Sequence, residues 1–572
     1  MFLSNLEFRG LAPRHLRWAW TTMLLGEYMP VTWMSYGLDH LLWGLNPFGY
    51  HLTSLLLHVA ATLAVYGVAW SLFRVGRVGA DPPDPESLRI GAAVAALAFG
   101  VHPLRAEPIG WISARGTILG GLFILLAVLV YVTGWTRSQD GRIPARWLGG
   151  AVGLNLLALL CRSTSVSLPA VLVVVDVYPL QRLPRAPGGW LGPAARAVWR
   201  EKLAFVLPAI LVIPLAMAAR RVSGDPFRID HYDPLAGVAV ALRGASFYLR
   251  QTLLPLHLSP IYEMPVRVDP WAPSFAAGAL ATLAITAALV WARRAWPAGL
   301  AAWVSYLLFL LPVSGIVPFG LLHLAADRYT YVSCVSWAVL LGASCAIGWR
   351  AWRDRVLSGV VAAAAGGALI VVLGGLALVS WRQVQGWRDA ETLWGWAMAV
   401  APESAMAHYS AGALREERGR LDDAIVLYRR AVELWPTQGP FRMGLGRALA
   451  LHGEIEAAAG ELRTAVRLRP GDPVARVQLG LVLFARGDLD GAVAQYEEAL
   501  RLRPGFAVAH YDLGLVRERQ GRWPEAVAHY RRAVEADPGL IQARERLARM
   551  TTPAAGGAAG AGERTPGTLP VR

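Results

Sequence analysis

The chain has 572 residues, 55% of them hydrophobic, and a mean hydropathy of +0.40, too apolar for an ordinary soluble enzyme, so a bilayer is its expected solvent. The net charge of +15 and pI near 10.1 do not point to nucleic acid: Lys202 is the sole lysine, and much of the arginine falls in short loops between apolar runs, where membrane topology accounts for it. Cys161, Cys334 and Cys345 stand at unrelated spacings with no C-x-x-C and no paired histidines, so they read as small core residues and not as a metal site.

Residues 1 to 50 read as an amphipathic, interfacial segment on the outer face. Arg9, Arg14 and Arg17 lie there with no apolar run before them to carry them across a membrane. From 51 to 380 the composition predicts a polytopic helical domain of about ten spans, at roughly 51–73, 90–102, 116–135, 147–161, 165–180, 203–219, 274–292, 297–320, 329–349 and 356–380, of which the second, fourth and fifth are short. Loops 74–90, 136–146, 181–202, 293–296 and 350–355 hold 16 basic residues in 60 positions, against 10 in 80 for 102–115, 161–164, 220–273 and 321–328. The first set is therefore assigned to the cytoplasm. One further apolar run, 234–256, places Arg243, Ser246 and Arg250 on one helical stripe, which predicts an amphipathic helix lying on the outer leaflet.

Beyond a linker helix at 381–401, prolines at 402, 436, 470, 504 and 538 recur every 34 residues. Between them recur Gly412, Gly446, Gly480 and Gly514, then Ala424, Ala458, Ala492 and Ala526, the pattern of four tetratricopeptide repeats over 402–550 with a capping helix at their end. Residues 551–572 are rich in Gly, Ala and Pro and are expected to be a disordered tail. The predicted fold class is all-α: a polytopic bundle followed by an α-solenoid.

The compact polar clusters all fall on the outer side of this topology. They include "HPLRAEPIGWISARG" with His102, Arg105, Glu107 and Arg115, "LLCRSTS" with Arg162, and "HLAADRYTYV" with Asp327, Arg328 and Tyr329. An ionisable residue at membrane depth is costly and either faces a cavity or pairs with another charge. Pairing of Glu107 with Arg105 or Arg115, and of Asp327 with Arg328, is the structural alternative to a functional site. Carboxylates, several arginines and many aromatics on one face suit a phosphate-bearing lipid substrate, because the guanidinium fork matches phosphate oxygens and stays charged.

Taken together, "NPFGYHLTSLLLHV", "HPLRAEPIGWISARG", "STSVSLPAVLVVVDVYPLQRL", "FLLPVSGIVPFGLLHLAADRYTYV" and the C-terminal repeats resemble, in this order, bacterial relatives of the tetratricopeptide-repeat transmembrane O-mannosyltransferases. The resemblance runs from about residue 14 to residue 550. It implies a glycosyltransferase-C-like bundle in a bacterial inner membrane, with its active site and its repeats on the periplasmic side. The implied donor is a polyprenyl-phosphate sugar, mannose in the eukaryotic members. The acceptor is a protein Ser or Thr hydroxyl, or a glycan, bound by the repeat groove, and transfer inverts the anomeric carbon. On this reading Glu107 and Asp327 are the candidates to take the acceptor proton or orient the hydroxyl. Arg115, Arg162 and Arg328 are the candidates to meet the leaving phosphate. Arg105, His102 and Tyr329 support them. No acid-rich ligand set is visible; some polytopic glycosyltransferases of this fold use a divalent ion and others do not.

The family normally opens with a transmembrane helix and an outer loop carrying an acidic pair, where its catalytic Asp is expected. Here Glu7 is the sole acid before Glu27. Two expectations follow, a start that lies inside a longer protein or a shortened relative without transfer activity. Asp39 matches a recurrent family position but falls in a predicted interfacial helix and is not promoted to base. The competing function classes are a non-catalytic membrane anchor displaying a repeat scaffold to envelope proteins, and an oligosaccharide polymerase or ligase using a lipid diphosphate.

Overall fold

In the computed structural model the described residues are 5–76, 84–139, 141–184, 187–222, 233–265, 267–316 and 323–551. The expected C-terminal tail, parts of the loops at 74–90, 136–146, 181–202, 220–273 and 321–328, and the end of the run at 297–320 lie outside them. Two compact units divide between Trp396 and Ala397.

The first unit is built from α1 (Pro13–Thr21), α2 (Pro30–Trp43), α3 (Pro47–Val75), α4 (Pro85–Gly100), the short α5 (Ala106–Gly110), α6 (Arg115–Thr136), α7 (Ala145–Cys161), α8 (Leu168–Val177), α9 (Pro193–Val222), α10 (Pro234–Leu253), α11 (Pro273–Trp291), α12 (Pro297–Leu310), the one-turn α13 (Thr330–Ser333), α14 (Val335–Arg353), α15 (Gly359–Gly386) and α16 (Ala390–Val400). A two-stranded antiparallel ribbon, β1 (Tyr262–Glu263) against β2 (His323–Ala325), is the only sheet among the described residues. Prolines open eight of the helices from α1 to α12, where their missing N–H costs nothing.

Every expected apolar run forms a helix, but their lengths differ from ten full spans. Among the described residues five helices are long and apolar enough to cross a membrane, and up to seven if two bent pairs, α4 with α5 at 58° and residues 327–333 with α14 at 49°, each count as one. The runs at 147–161, 165–180 and 297–320 give helices of 17 residues or fewer. The eighth run falls short of its expected length because α12 ends at Leu310, where Pro312 follows within one turn. Exposed Ile370, Val371 and Val372 on α15 present to the exterior the apolar surface that lipid accepts and water does not.

Two other segments show how they pack. The helix at 234–256 is present as α10, and its polar stripe divides: Arg243 and Ser246 lie against Gly278 of α11, whose missing side chain makes the room, while Arg250 is exposed. The Thr282 hydroxyl donates to Leu242 O at 2.7 Å and the Tyr306 hydroxyl to Ala245 O at 2.6 Å, tying α10 along α11 and α12. The segment before residue 50 packs as part of the bundle: Trp33, Tyr36 and Asp39 are buried, and the Thr32 hydroxyl donates to Cys161 O at 3.0 Å. Cys161 and Cys334 are buried as expected, whereas Cys345 is half-buried, and all three are free thiols.

At the C-terminal end of α6 a buried network joins four segments. Asp176 lies 2.5 Å from Lys202 Nζ and 3.1 Å from Arg182 Nη1, and accepts the Tyr131 hydroxyl at 2.8 Å. Glu201 takes Arg182 through two bonds of 2.7 Å and accepts the Ile143 N–H at 3.1 Å. Two acids and two bases cancel, so the network carries no net charge into the apolar interior.

In the second unit the four repeats are α17 (Ala405–Glu417) with α18 (Leu421–Leu434), α19 (Gly439–His452) with α20 (Ile455–Leu468), α21 (Pro473–Arg486) with α22 (Leu489–Leu502), and α23 (Ala507–Arg519) with α24 (Trp523–Ala536), capped by α25 (Ile541–Thr551). The repeated glycines have the expected role: a Cβ on Gly480 would meet the Tyr496 ring at 2.7 Å and one on Gly514 the Tyr530 ring at 2.6 Å. A second, 34-residue ladder pins the inter-repeat prolines, whose carbonyls contact His408, Arg442, Arg476 and His510 at 2.9 to 3.1 Å. The fourth repeat also buries Asp512, and burial pushes its carboxyl up to about 7.

Two outcomes follow. Asp176→Ala leaves Lys202 buried without its nearest countercharge and should cost about 3–5 kcal/mol, read as a lowered melting temperature of the purified protein. Because the folded Asp512 carboxyl titrates above its unfolded value, its contribution to stability is full below about pH 4 and is lost as pH rises towards 7. Asp512→Asn should therefore stabilise the fourth repeat at pH 8 and leave it unchanged at pH 4, measured by hydrogen exchange over 507–536.

Candidate functional site

The loop between α4 and α6 turns twice. His102 caps the first turn: its Nδ1 accepts the Leu104 N–H at 3.2 Å and its Nε2 donates to Thr252 O at 2.9 Å, an arrangement that assigns the proton to Nε2. Both ring nitrogens are thereby used within the fold. Arg105 is 2% exposed, donates to the Thr330 hydroxyl at 3.2 Å, and lies 4.7 Å above the Phe99 ring and 5.4 Å from that of Tyr331.

Glu107 does not pair with Arg105 or Arg115. Its Oε1 forms an ion pair with the Arg328 guanidinium, and its Oε2 accepts the Arg328 backbone N–H at 2.7 Å. The carboxylate so caps the turn Asp327–Tyr329 and charge-pairs with it at once. Asp327 in turn does not pair with Arg328. The Tyr262 hydroxyl, delivered by the β1–β2 ribbon, donates to its Oδ1 at 2.9 Å. Alternation along one tight turn explains the exchange, since adjacent side chains at 327 and 328 project to different neighbours.

Arg115 is fully buried. Its Nη2 lies 2.5 Å from Asp39 Oδ2 and donates to Tyr50 O at 2.8 Å, while its Nε donates to the Ser54 hydroxyl at 3.2 Å. Two residues on, Thr117 points the other way around α6, as positions two apart on a helix must, and enters a polar pocket.

That pocket, of about 40 Å³, brings Arg162, Arg328 and Tyr329 together with Thr117, Thr164, Ser165 and Ser333. Gly121 belongs to its wall because a Cβ there would meet the Tyr331 ring at 2.6 Å. Arg162 donates from Nη1 to the Thr117 hydroxyl at 2.8 Å, and its Nη2 stands 3.5 Å from Glu27 Oε1. The Arg328 guanidinium also lies 5.1 Å from the Trp111 and Tyr329 rings. The pocket shares Ile124, Phe309 and Val332 with an apolar groove of about 150 Å³, walled by Val128 and Val175, by Ala298 and Ala302 of α12, and by Val339 of α14. Two cations over an apolar slot can hold an anionic head with a long hydrocarbon tail. Among the described residues no three His, Cys, Asp or Glu side chains converge as metal ligands.

Of the candidate residues, then, Arg162, Arg328 and Tyr329 line one pocket, Glu107 and Asp327 stand behind it, and His102, Arg105 and Arg115 are engaged elsewhere. Sequence reasoning missed Glu27, Thr117 and the groove. Glu27 carried a signal, an acid inside the otherwise apolar "LLGEYMPVTW"; the groove carried none, because its lining residues come from six helices and look like any core.

Tetratricopeptide-repeat family profiles match residues 379–439, 416–479 and 477–541. The chain is 32% identical over 169 residues to Protein O-mannosyl-transferase Tmtc3 of Drosophila melanogaster, covering 27% of this chain and 18% of that protein. It is 24% identical over 510 residues to Protein O-mannosyl-transferase TMTC1 of Homo sapiens, covering 78% of this chain and 53% of that protein. The chain thus spans about half the length of the human protein, and it is a relative of these O-mannosyl-transferases. The crystal structure of MamA matches with 27% identity and a TM-score of 0.24 over 26% of this chain and 88% of that one.

The two arginine environments predict a split in stability. Arg115→Leu strands buried Asp39 and should cost about 3–5 kcal/mol, whereas Arg162→Gln, whose ionic partner is partly accessible, should cost under about 1 kcal/mol; thermal unfolding of the two purified variants checks the difference.

Proposed function

We propose that this chain transfers a hexose from a polyprenyl-phosphate carrier to a protein Ser or Thr hydroxyl in the bacterial inner membrane, on the periplasmic face, with the repeats presenting the acceptor. The observation that carries the reading is the junction of the Arg162–Arg328 pocket with the apolar groove. A lipid phosphate has that amphipathic shape, and the activity for which the relatives are named, protein O-mannosyl transfer, supports the sugar-transfer chemistry. A scaffold needs an anchor and a repeat array but has no use for this junction.

In the proposed reaction the polyprenyl chain lies along Val128, Phe309 and Val339 and the phosphate sits between the two guanidinium groups. As the acceptor oxygen bonds to the anomeric carbon, the bond from that carbon to the phosphate oxygen breaks and its electron pair stays with the phosphate. The added negative charge falls to Arg328 and Arg162, and the hydroxyls of Thr117 and Ser333 complete the cradle. Glu107 fixes where Arg328 points, which preorganises the cation before charge develops.

Arg162→Ala should lower transfer from a polyprenyl-phosphate sugar about 10²-fold and weaken inhibition by free polyprenyl phosphate. Ala302→Phe, which fills the groove away from the arginines, should raise KM for long-chain donors and leave short-chain donors near wild type. Equal effects on both chain lengths would remove the groove from the reading.

A further inference from the structure

An inverting transfer needs a base that a hydroxyl arriving from outside can reach. Among the described residues four carboxylates lie in or beside the site, and three are spent. Glu107, 3% exposed, gives both oxygens to Arg328. Asp327 is as deeply buried and accepts the Tyr262 hydroxyl. Asp39 is held by Arg115 at 2.5 Å and by the Thr53 hydroxyl at 2.8 Å.

Glu27 differs in both respects. Its side chain is 31% exposed, and its ion-pair contact with Arg162, at 3.5 Å, is longer than a good charge-assisted hydrogen bond. Arg162 is also the residue whose other nitrogen reaches Thr117 in the pocket wall, so the carboxylate, itself outside the lining, is joined to the pocket through one side chain. Local backbone places it there: the turn Leu24–Gly26 ends at Glu27, which is extended, at φ −126° and ψ 139°, before α2 begins at Pro30.

We infer that Glu27 is the general base of the transfer, an assignment that rests on the sugar-transfer reading above. A Glu27 carboxylate oxygen takes the proton of the acceptor hydroxyl as that oxygen bonds to the anomeric carbon. The carbon–oxygen bond to the phosphate breaks with its electron pair on the phosphate, and Glu27 afterwards releases the proton to water. Arg162 lies between the two events, beside the base on one side and the pocket on the other. Glu107 and Asp327 then hold the architecture of the site and do not carry the proton.

The test uses the full chain in lipid nanodiscs with polyprenyl-phosphate mannose as probe, scoring donor binding and mannose release to a Ser/Thr-rich peptide or to water separately. Glu27→Gln should bind donor within about threefold of wild type while turnover falls about 10²–10⁴-fold, and the acid limb of its pH–rate profile should vanish. Glu27→Asp, which keeps the carboxylate, should recover part of the turnover. Wild-type turnover by Glu27→Gln overturns the assignment, and so does a loss of donor binding that matches the loss of turnover, which would make Glu27 a positioning partner of Arg162. A wild-type chain that binds donor without turning it over overturns the assignment alone; one that neither binds nor turns it over removes the sugar-transfer reading as well.

Discussion

A charge inside an apolar bundle is costly unless a countercharge or dedicated polar partners come with it, as Thr330 and two rings do for Arg105 and Tyr262 for Asp327. The first unit meets that demand at both ends of α6, between Arg115 and Tyr131, positions that a helix separates by about 24 Å. At one end Asp39 is joined to Arg115 and Glu107 to Arg328. At the other, Asp176 and Glu201 are joined to Arg182 and Lys202. The pairs at the first end link segments far apart in sequence, so burying the charges also sets which loops meet.

What is left over from this pairing defines the site. Arg328 is anchored from behind by Glu107 yet keeps a face on the pocket, and Arg162 reaches the same pocket from the end of α7. With two cations at the head of an apolar groove, the polar and apolar halves are set by different elements: the turn at 327–329 and the end of α7 supply the charge, while α3, α6, α8, α12 and α14 supply most of the slot. The repeat unit is stabilised differently, by glycine against tyrosine and by side chains pinned to the inter-repeat prolines, devices that work equally well in water.

The repeats were legible in the sequence, since a 34-residue period in Pro, Gly and Ala reflects contacts that recur in every unit and needs no knowledge of distant neighbours. The apolar runs were legible as helices for a similar reason, but their lengths were overestimated: α12 ends at Leu310, just before Pro312, a stop that the sequence itself carried. The loops that carry the polar site were also visible, as charge clusters interrupting apolar sequence. Partner choice was not. Proximity in sequence favoured Glu107 with Arg105 and Asp327 with Arg328, while the fold pairs Glu107 with Arg328, 221 residues away, and gives Asp327 to Tyr262. Arg115 looked like a phosphate ligand until Asp39, Ser54 and Tyr50 surrounded it. Such choices depend on which helices pack together, information that no local spacing holds.

The most direct measurement is an experimental map of the full chain in a bilayer mimic with polyprenyl-phosphate mannose bound. The account predicts the phosphate between Arg162 and Arg328 and the polyprenyl chain in the groove past Phe309 and Val339. Density for the phosphate at another charge cluster, such as that of Arg182 and Lys202, or a lipid chain lying outside the groove, would contradict it.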